Sequence, residues 1–147
     1  MKITQALQAE HVVFHSLFDH VEAAAPHLRT LAEVRALAGL LERMLESHSK
    51  IEDHLLMDPL EPSLHQLGQH ENFHAEHEEI DASLAEIQKV HTVAEARKLL
   101  GRAVVLSRLH FDKEERIVFP MAERVLSSQT LLELGKRWEM HRKDLVA

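Results

Sequence analysis

The chain contains two stretches that repeat one another at a spacing of 62 residues, and each reads as a long helix. The coinciding positions include Thr30 with Thr92, Glu33 with Glu95, Arg35 with Arg97, Leu37 with Leu99, Gly39 with Gly101, His48 with His110, and Glu52 with Glu114. Each copy therefore opens with Thr-x-x-Glu, the capping-box pattern of a helix start, and closes with His-x3-Glu. Because residues four apart share one face of a helix, each copy presents an imidazole and a carboxylate side by side.

Apolar residues recur at helical spacing in five stretches, and no stretch shows the alternation that is typical of a β-strand. The predicted helices run from Thr4 to Pro26, from Thr30 to Pro59 and Pro62, from Phe73 to near His91, from Thr92 through Met121, and onward from Ser127 or Ser128. Thr4 is predicted to cap the first helix, and the two prolines are predicted to end the second. In the last helix, Leu131, Leu134 and Trp138 form the packing face. We predict an all-α fold, an up-down-up-down four-helix bundle with a short additional C-terminal helix, in which residues 1–147 form a single domain.

The composition excludes several classes of protein. The chain has no Cys, which rules out disulfides, thiolate zinc sites and iron–sulfur clusters and is compatible with a reducing compartment. A net charge of −7 argues against nucleic-acid binding. No stretch reaches the roughly 18 apolar residues of a membrane span, and the N-terminal sequence lacks the apolar segment of a secretory signal. We therefore expect a cytoplasmic protein that binds neither nucleic acid nor membrane.

The chain has 13 histidines, and several occupy seam positions where an apolar residue would serve. Ala-Glu-His occurs at residues 9–11 and again at 75–77, which makes His11 and His77 equivalent members of the first and third helices. Each half of the chain thus supplies one such histidine and then His-x3-Glu. A buried imidazole or carboxylate is costly unless it is hydrogen-bonded, ion-paired or bound to a metal. A lone core histidine or a surface ion pair does not account for six such residues related by a repeat, so the pattern predicts a two-metal site of iron, manganese or zinc type.

The segments EHVVFH, SHSKIED, AEHEEI and LHFDKEERIVFP resemble the four helix motifs of the hemerythrin/HHE cation-binding family, over about residues 5–121. The resemblance implies a four-helix bundle with a non-haem di-iron centre, in which two iron ions are bridged by two carboxylates and an oxo or hydroxo group. The ligands that it implies are His11, His48, His77 and His110 as terminal ligands and Glu52 and Glu114 as bridges. It also implies that the centre meets O2, another small diatomic molecule or peroxide.

Two departures separate this chain from the oxygen-carrying branch of that family. Carriers have His-x3-His on the third helix, whereas here Phe73 occupies the first of these positions and His74 follows it. Carriers also have His-x4-Asp on the fourth helix, whereas here the bridging acid is Glu114 and Glu115 occupies the carrier spacing. The HHE branch is therefore the closer match. The Glu-x2-His pattern of ferritin-like di-iron proteins, which need it twice, occurs only at Glu71 and His74, so that class is rejected.

Two further histidines, His74 and His15, are candidate metal ligands that leave the ligand count open. If His74 ligates, one coordination position remains, as reversible O2 binding requires. If His15 also ligates, the centre is saturated, which favours a redox or iron-sensing role. Either could instead orient a ligand from outside. Asp53 and Glu115 could do the same, or could lie on a solvated face. Weaker candidates are His54 and His70. Positions expected to be at the surface are His20, His27, His65, His91 and His141. A solvated face is also expected for the basic cluster Lys136, Arg137, Arg142 and Lys143, with an acidic partner as the alternative.

Functions from different classes fit these features. The first is a metal-binding protein whose di-iron centre binds or senses O2 or iron. The alternative is a di-iron enzyme that acts on peroxide or nitric oxide, or an iron donor for repair. No general acid or base can be named, so the sequence leaves open whether the protein is an enzyme. A third interpretation is a structural or interaction bundle with incidental metal. The sequence gives neither the oligomeric state nor the identity of a redox partner.

Overall fold

Within residues 1–68 and 70–144, described without the side chains of His70 and Glu71, the computed structural model contains seven α-helices and no β-strand. The helices are α1 Ile3–Ala24, α2 Leu31–Glu52, α3 Asp58–Gln66, α4 His70–Ile87, α5 Val93–Lys113, α6 Phe119–Val125 and α7 Ser128–Asp144. The predicted all-α class is confirmed. In this described part of the chain, no helix has both the length and the hydrophobicity that crossing a bilayer requires.

The duplicated helices α2 and α5 begin where the capping boxes predict. The hydroxyl of Thr30 accepts a hydrogen bond from the backbone N–H of Glu33 at 3.1 Å, and that of Thr92 accepts from Glu95 at 3.2 Å. These contacts satisfy backbone donors that have no partner within the helix. The prediction that Thr4 caps the first helix is wrong. Helix α1 begins at Ile3 after Lys2, and the Thr4 hydroxyl instead donates to Glu123 at 2.6 Å.

The prediction that Pro59 and Pro62 end the second helix is also wrong, because the helical path continues to Gln66. A π-helical turn, Asp53–Met57, joins α2 to α3, and its last backbone bond spans five residues. Pro59 falls in the first turn of the new helix, where a missing N–H costs little. The path ends instead at Gly68, whose φ of +67° is a left-handed conformation that favours glycine.

A second π-helical turn, Glu114–Val118, joins α5 to α6 in the same way. The backbone N–H of Phe119 bonds to the carbonyl of Glu114, five residues back, and Pro120 occupies the first turn of α6. One π turn follows Glu52 directly, and the other begins with Glu114. Each π turn thus lies at the glutamate that ends one copy of the repeat. Single π turns inside α-helices occur often at functional sites.

A layer of buried polar residues separates two apolar clusters along the helices. One cluster includes Phe14, Phe18, Leu41, Leu84 and Leu100, and the other includes Ile3, Leu7, Leu55, Phe73 and Val118. On α1, for example, Leu7 belongs to one cluster and Phe14 to the other, with buried His11 between them. The apolar layers fix the helices on both sides of the polar layer, and they exclude water from it.

The predicted fifth helix is present as α7 and packs against α1. Leu131 and Leu134 are buried, as predicted for its packing face. Gly135 is needed where α7 meets the N-terminus, because a Cβ there would lie 1.9 Å from the carbonyl oxygen of Met1. The prediction that the basic cluster on this helix is solvated is wrong for Arg142. Its guanidinium is partly buried and donates to Glu10 at 2.6 Å.

Candidate metal centre

The polar layer gathers six of the predicted site residues into two overlapping groups. The first group is His11, His48, Glu52 and Glu114, and the second is Glu52, His77 and His110. Within each group the nitrogen and oxygen atoms lie within 4.8 Å of one another. The residues come from α1, α2, α4 and α5, together with the π turn that follows α5. Glu52 belongs to both groups, so one carboxylate faces both sets of imidazoles.

In the first group, every side chain is buried. The Nε2 atom of His11 lies 3.2 Å from Nε2 of His48, 3.8 Å from Oε2 of Glu52 and 3.9 Å from Oε1 of Glu114. His48 Nε2 lies 3.4 Å from the same Glu52 oxygen. Two imidazole nitrogens and two carboxylates thus face a common point from three directions.

The second group is more open to solvent. Nε2 of His110 lies 3.2 Å from Oε1 of Glu114, and the rings of His110 and His77 are 4.3 Å apart between centroids. The His77 side chain is 15% exposed, and its Nδ1 lies 4.0 Å from Oδ1 of Asp53. Glu114 therefore contacts histidines of both groups, whereas Glu52 contacts those of the first group and lies within 4.8 Å of those of the second.

The two glutamates have opposite pKa shifts. Burial raises the pKa of Glu114 well above its usual range, and the nearby charge of Glu52 raises it further. Burial alone would also raise the pKa of Glu52, but contacts with Glu114, His11 and His48 outweigh it and lower the pKa. In the metal-free protein a carboxylic acid thus lies beside a carboxylate. This is the expected result for two acids that cannot both ionise in a dry interior.

The histidines of the two long helices also differ. Burial alone would lower the pKa of His48, but the hydrogen bond to Glu10 and the nearby carboxylate of Glu52 outweigh it and raise this pKa to about 9. Burial and the neighbouring His77 lower the pKa of His110 to about 4. At neutral pH the metal-free site therefore holds a charged His48 and a neutral His110.

Three carboxylates outside the groups hold imidazole rings by their Nδ1 atoms. Glu10 accepts from His48 at 2.7 Å, Glu76 from His110 at 2.7 Å, and Glu115 from His11 at 3.0 Å. In each case Nδ1 carries the proton, and Nε2 is left to face the interior. Glu115 therefore holds His11 from outside the groups, which is the orienting role that its position in the sequence suggested.

Sequence reasoning missed the roles of Glu10 and Glu76, although their signal was present. They are the glutamates of the two Ala-Glu-His repeats, at 9–11 and 75–77. Each repeat therefore supplies a histidine to the layer and, from the adjacent residue, a carboxylate that holds the histidine of the next long helix.

The remaining predicted residues lie outside both groups. His15 is 35% exposed, and its Nε2 lies 3.3 Å from the Glu115 oxygen that also accepts from His11. His74 is exposed on α4. His54 is exposed and lies near Arg137, at 3.1 Å. The side chains of His70 and Glu71 lie outside the described residues. The histidines expected at the surface, His20, His27, His65, His91 and His141, are all exposed.

The unsatisfied atoms of the layer fit a metal site. Among the described residues, neither carboxylate oxygen of Glu52 or Glu114 has a hydrogen-bond partner, nor does Nε2 of His110. Buried polar atoms without a partner are costly, and they mark places where an ion or water completes the structure. Imidazole and carboxylate donors suit first-row metals such as iron, manganese and zinc. The arrangement can therefore hold a metal ion.

Comparison with known proteins agrees with this chemistry. The family model of the hemerythrin HHE cation-binding domain matches residues 2–122, which include all six residues of the two groups. No match was found among curated proteins, and none among solved structures. On the strength of a match that covers most of its length, the chain belongs to the hemerythrin HHE cation-binding domain family.

Proposed function

We propose that this protein holds two iron ions in its polar layer and uses them to bind or sense O2 or iron. The observation that carries the proposal is the pair Glu52 and Glu114. Neither of these buried carboxylates has a hydrogen-bond partner among the described residues. Glu114 contacts imidazoles of both groups, and Glu52 has an oxygen within 4.8 Å of the ring nitrogens of each group. A carboxylate with two oxygens can join two cations, and two cations would neutralise a charge that the apolar surroundings disfavour. The proposed ligands are His11, His48, His77, His110, Glu52 and Glu114.

Two iron ions held by these residues would supply redox chemistry, and the partly exposed His77 is the side of the site nearest solvent. The chain's own residues orient and protect that centre. Glu10, Glu76 and Glu115 hold three of the imidazoles in the tautomer that directs Nε2 inward. Phe14, Phe111 and Phe119 pack around the first group and keep bulk water out.

We propose that His15 orients a ligand from outside and does not bind metal itself, because its side chain contacts Glu115 rather than the interior. His74 stays a candidate ligand on the more open side, where Asp53 also lies.

Within this proposal the helices form an up-down-up-down four-helix bundle with α7 added. Residues 1–147 then form one domain, which the packing of α7 on α1 supports.

The openness of the second group favours one alternative function. In that group His77 is 15% exposed, whereas every side chain of the first group is buried. A position closer to solvent suits turnover of peroxide or nitric oxide, or release of iron. Steady turnover of peroxide or nitric oxide by iron-loaded protein would favour the enzyme over the binder.

Elemental analysis of purified protein, with absorption spectra before and after O2 reaches the reduced, Fe(II)-loaded form, tests the proposal. About two irons per chain and a reversible new band would support O2 binding or sensing. Irreversible oxidation would favour the enzyme or a redox switch. Metal content that is unchanged in the Glu52→Ala, Glu114→Ala double variant would contradict the proposal and favour a bundle with incidental metal.

A further inference from the structure

Helix α7 reaches the metal layer through a chain of hydrogen bonds. Glu10 uses Oε2 to accept from His48, at 2.7 Å. Its other oxygen, Oε1, accepts from the indole Nε1 of Trp138 at 3.0 Å and from Arg142 Nε at 2.6 Å. Arg142 is itself held on α2 by a hydrogen bond from Nη1 to the hydroxyl of Ser47, at 2.7 Å. Both oxygens of Glu10 are therefore fixed, one by the ligand histidine and one by α7.

The equivalent carboxylate in the other half, Glu76, is held less firmly. One of its oxygens accepts from His110 at 2.7 Å, and the other contacts Lys113. Lys113 has a 43% exposed side chain, and it lies on α5, only three residues from His110. The side chain of Glu76 is 24% exposed, whereas that of Glu10 is 15% exposed. Among the described residues, Glu76 on α4 is thus held from α5 alone, and no other helix contacts its carboxylate.

This difference coincides with a difference between the two groups. Every side chain of the group that contains His48 is buried, whereas His77, in the group that contains His110, is 15% exposed. A carboxylate fixed on Nδ1 keeps an imidazole aimed at a metal, and loss of such a partner costs about 10–100-fold in metal affinity. A well-held partner should thus slow metal release from its own side of the centre.

We propose that Trp138 and Arg142 are positioning residues that make the two metal positions unequal. Through Glu10 and His48, α7 secures the ion on the His11 and His48 side. The ion on the His77 and His110 side exchanges first. The family match ends at residue 122, so Trp138 and Arg142 lie on a helix outside the matched segment. The inference rests on the proposed two-metal centre.

The test is release of iron from anaerobic, Fe(II)-loaded full-length protein into an excess of a coloured ferrous chelator. Two phases of about one iron each are expected for the unchanged protein. Trp138→Phe removes one hydrogen-bond donor and keeps an aromatic ring, and Arg142→Ala removes the charged donor. Each should accelerate the slow phase, by about tenfold for Arg142→Ala, and leave the fast phase unchanged. Arg142→Lys, which keeps the charge, should restore part of the slow release.

Two matched variants separate this role from general loosening of the structure. Lys113→Ala removes the equivalent contact of Glu76 and should accelerate only the fast phase. Arg137→Ala lies on α7, but its contact is His54 rather than Glu10, so it should change neither phase. A single release phase, or equal acceleration of both phases by Arg142→Ala and Arg137→Ala, would overturn the inference while leaving the two-metal proposal intact. Fewer than two irons at the start would instead contradict the two-metal proposal.

Discussion

The imidazole of His11 lies flat on the ring of Phe111, with the ring centroids 3.9 Å apart and the planes at 3°. The stack fixes the plane of the ring, and the hydrogen bond from Nδ1 to Glu115 fixes its rotation within that plane. Nε2 is thereby directed to the centre of the first group. A residue next to His110 thus orients a histidine from a different helix, so α1 and α5 hold the layer jointly.

Replacement of this ring should weaken metal binding more than its effect on stability suggests. Phe111→Leu keeps an apolar side chain but removes the stack, so we expect a loss of about 1–2 kcal/mol in the free energy of unfolding. Metal affinity should fall by about tenfold, because His11 is no longer held in one plane. Chemical denaturation and metal titration measure the two effects. Phe18→Leu is the control, since Phe18 is buried beside Phe111. A similar loss of affinity in both variants would contradict a specific role for the stack.

The carboxylate of Glu114 should matter to the metal and little to the metal-free fold. Its raised pKa favours the protonated form in the metal-free protein, and Glu114→Gln replaces that neutral form with another neutral group of the same shape. We expect the free energy of unfolding of the metal-free protein to change by less than about 1 kcal/mol. The metal content should fall below two per chain, as measured by elemental analysis. Glu79→Gln alters an exposed acid paired with Arg102 and should keep its metal. Full metal content in Glu114→Gln would argue against a bridging role.

Local signals predicted much of the fold. The helix starts at Thr30 and Thr92 could be predicted because a capping box depends only on residues three apart. The ends of the long helices could not be predicted, because a π turn lets the helical path continue through Pro59. What accompanies both turns in the sequence is a proline in the first turn of the helix that follows, Pro59 and Pro120.

The spacing His-x3-Glu also predicted which face of each helix would bring the site together, because that face is a local property. The structure gathers both pairs in one layer, and their role as metal ligands stays a prediction. The part played by Arg142 could not be predicted, because it depends on where α7 docks, more than 100 residues along the chain from Glu10. A basic residue near the end of a helix is most often solvated, and only the tertiary contact shows otherwise.

Metal uptake should release protons, and affinity should rise with pH. The raised pKa of His48, about 9, means that this imidazole carries a proton at pH 7 that the metal must displace, and the raised pKa of Glu114 favours a second such proton. His110 has a lowered pKa of about 4 and is already neutral, so it should contribute no proton. Release of about one to two protons per chain is expected, and the dependence of affinity on pH should flatten above the pKa of His48. Anaerobic calorimetric titration with Fe(II) at pH 7, in buffers of different ionisation enthalpy, measures the number. In Glu114→Gln the count should fall by about one, and zero release in the unchanged protein would contradict the pKa assignment.

Removal of metal should loosen the fold, because Glu52 and Glu114 would then face each other with no partner for their oxygens. An ion that binds only the folded state, present at about 1,000 times its dissociation constant, adds about 4 kcal/mol to the free energy of unfolding. For a chain of about this length, that corresponds to roughly 8 °C or more in Tm. Calorimetric scans of iron-loaded protein with and without a chelator measure the shift. The Glu52→Ala, Glu114→Ala double variant is the control and should show the same Tm under both conditions. Equal Tm values for the metal-loaded and metal-free unchanged protein would mean that the polar layer is stable by itself, and the physical case for a buried metal centre would fail.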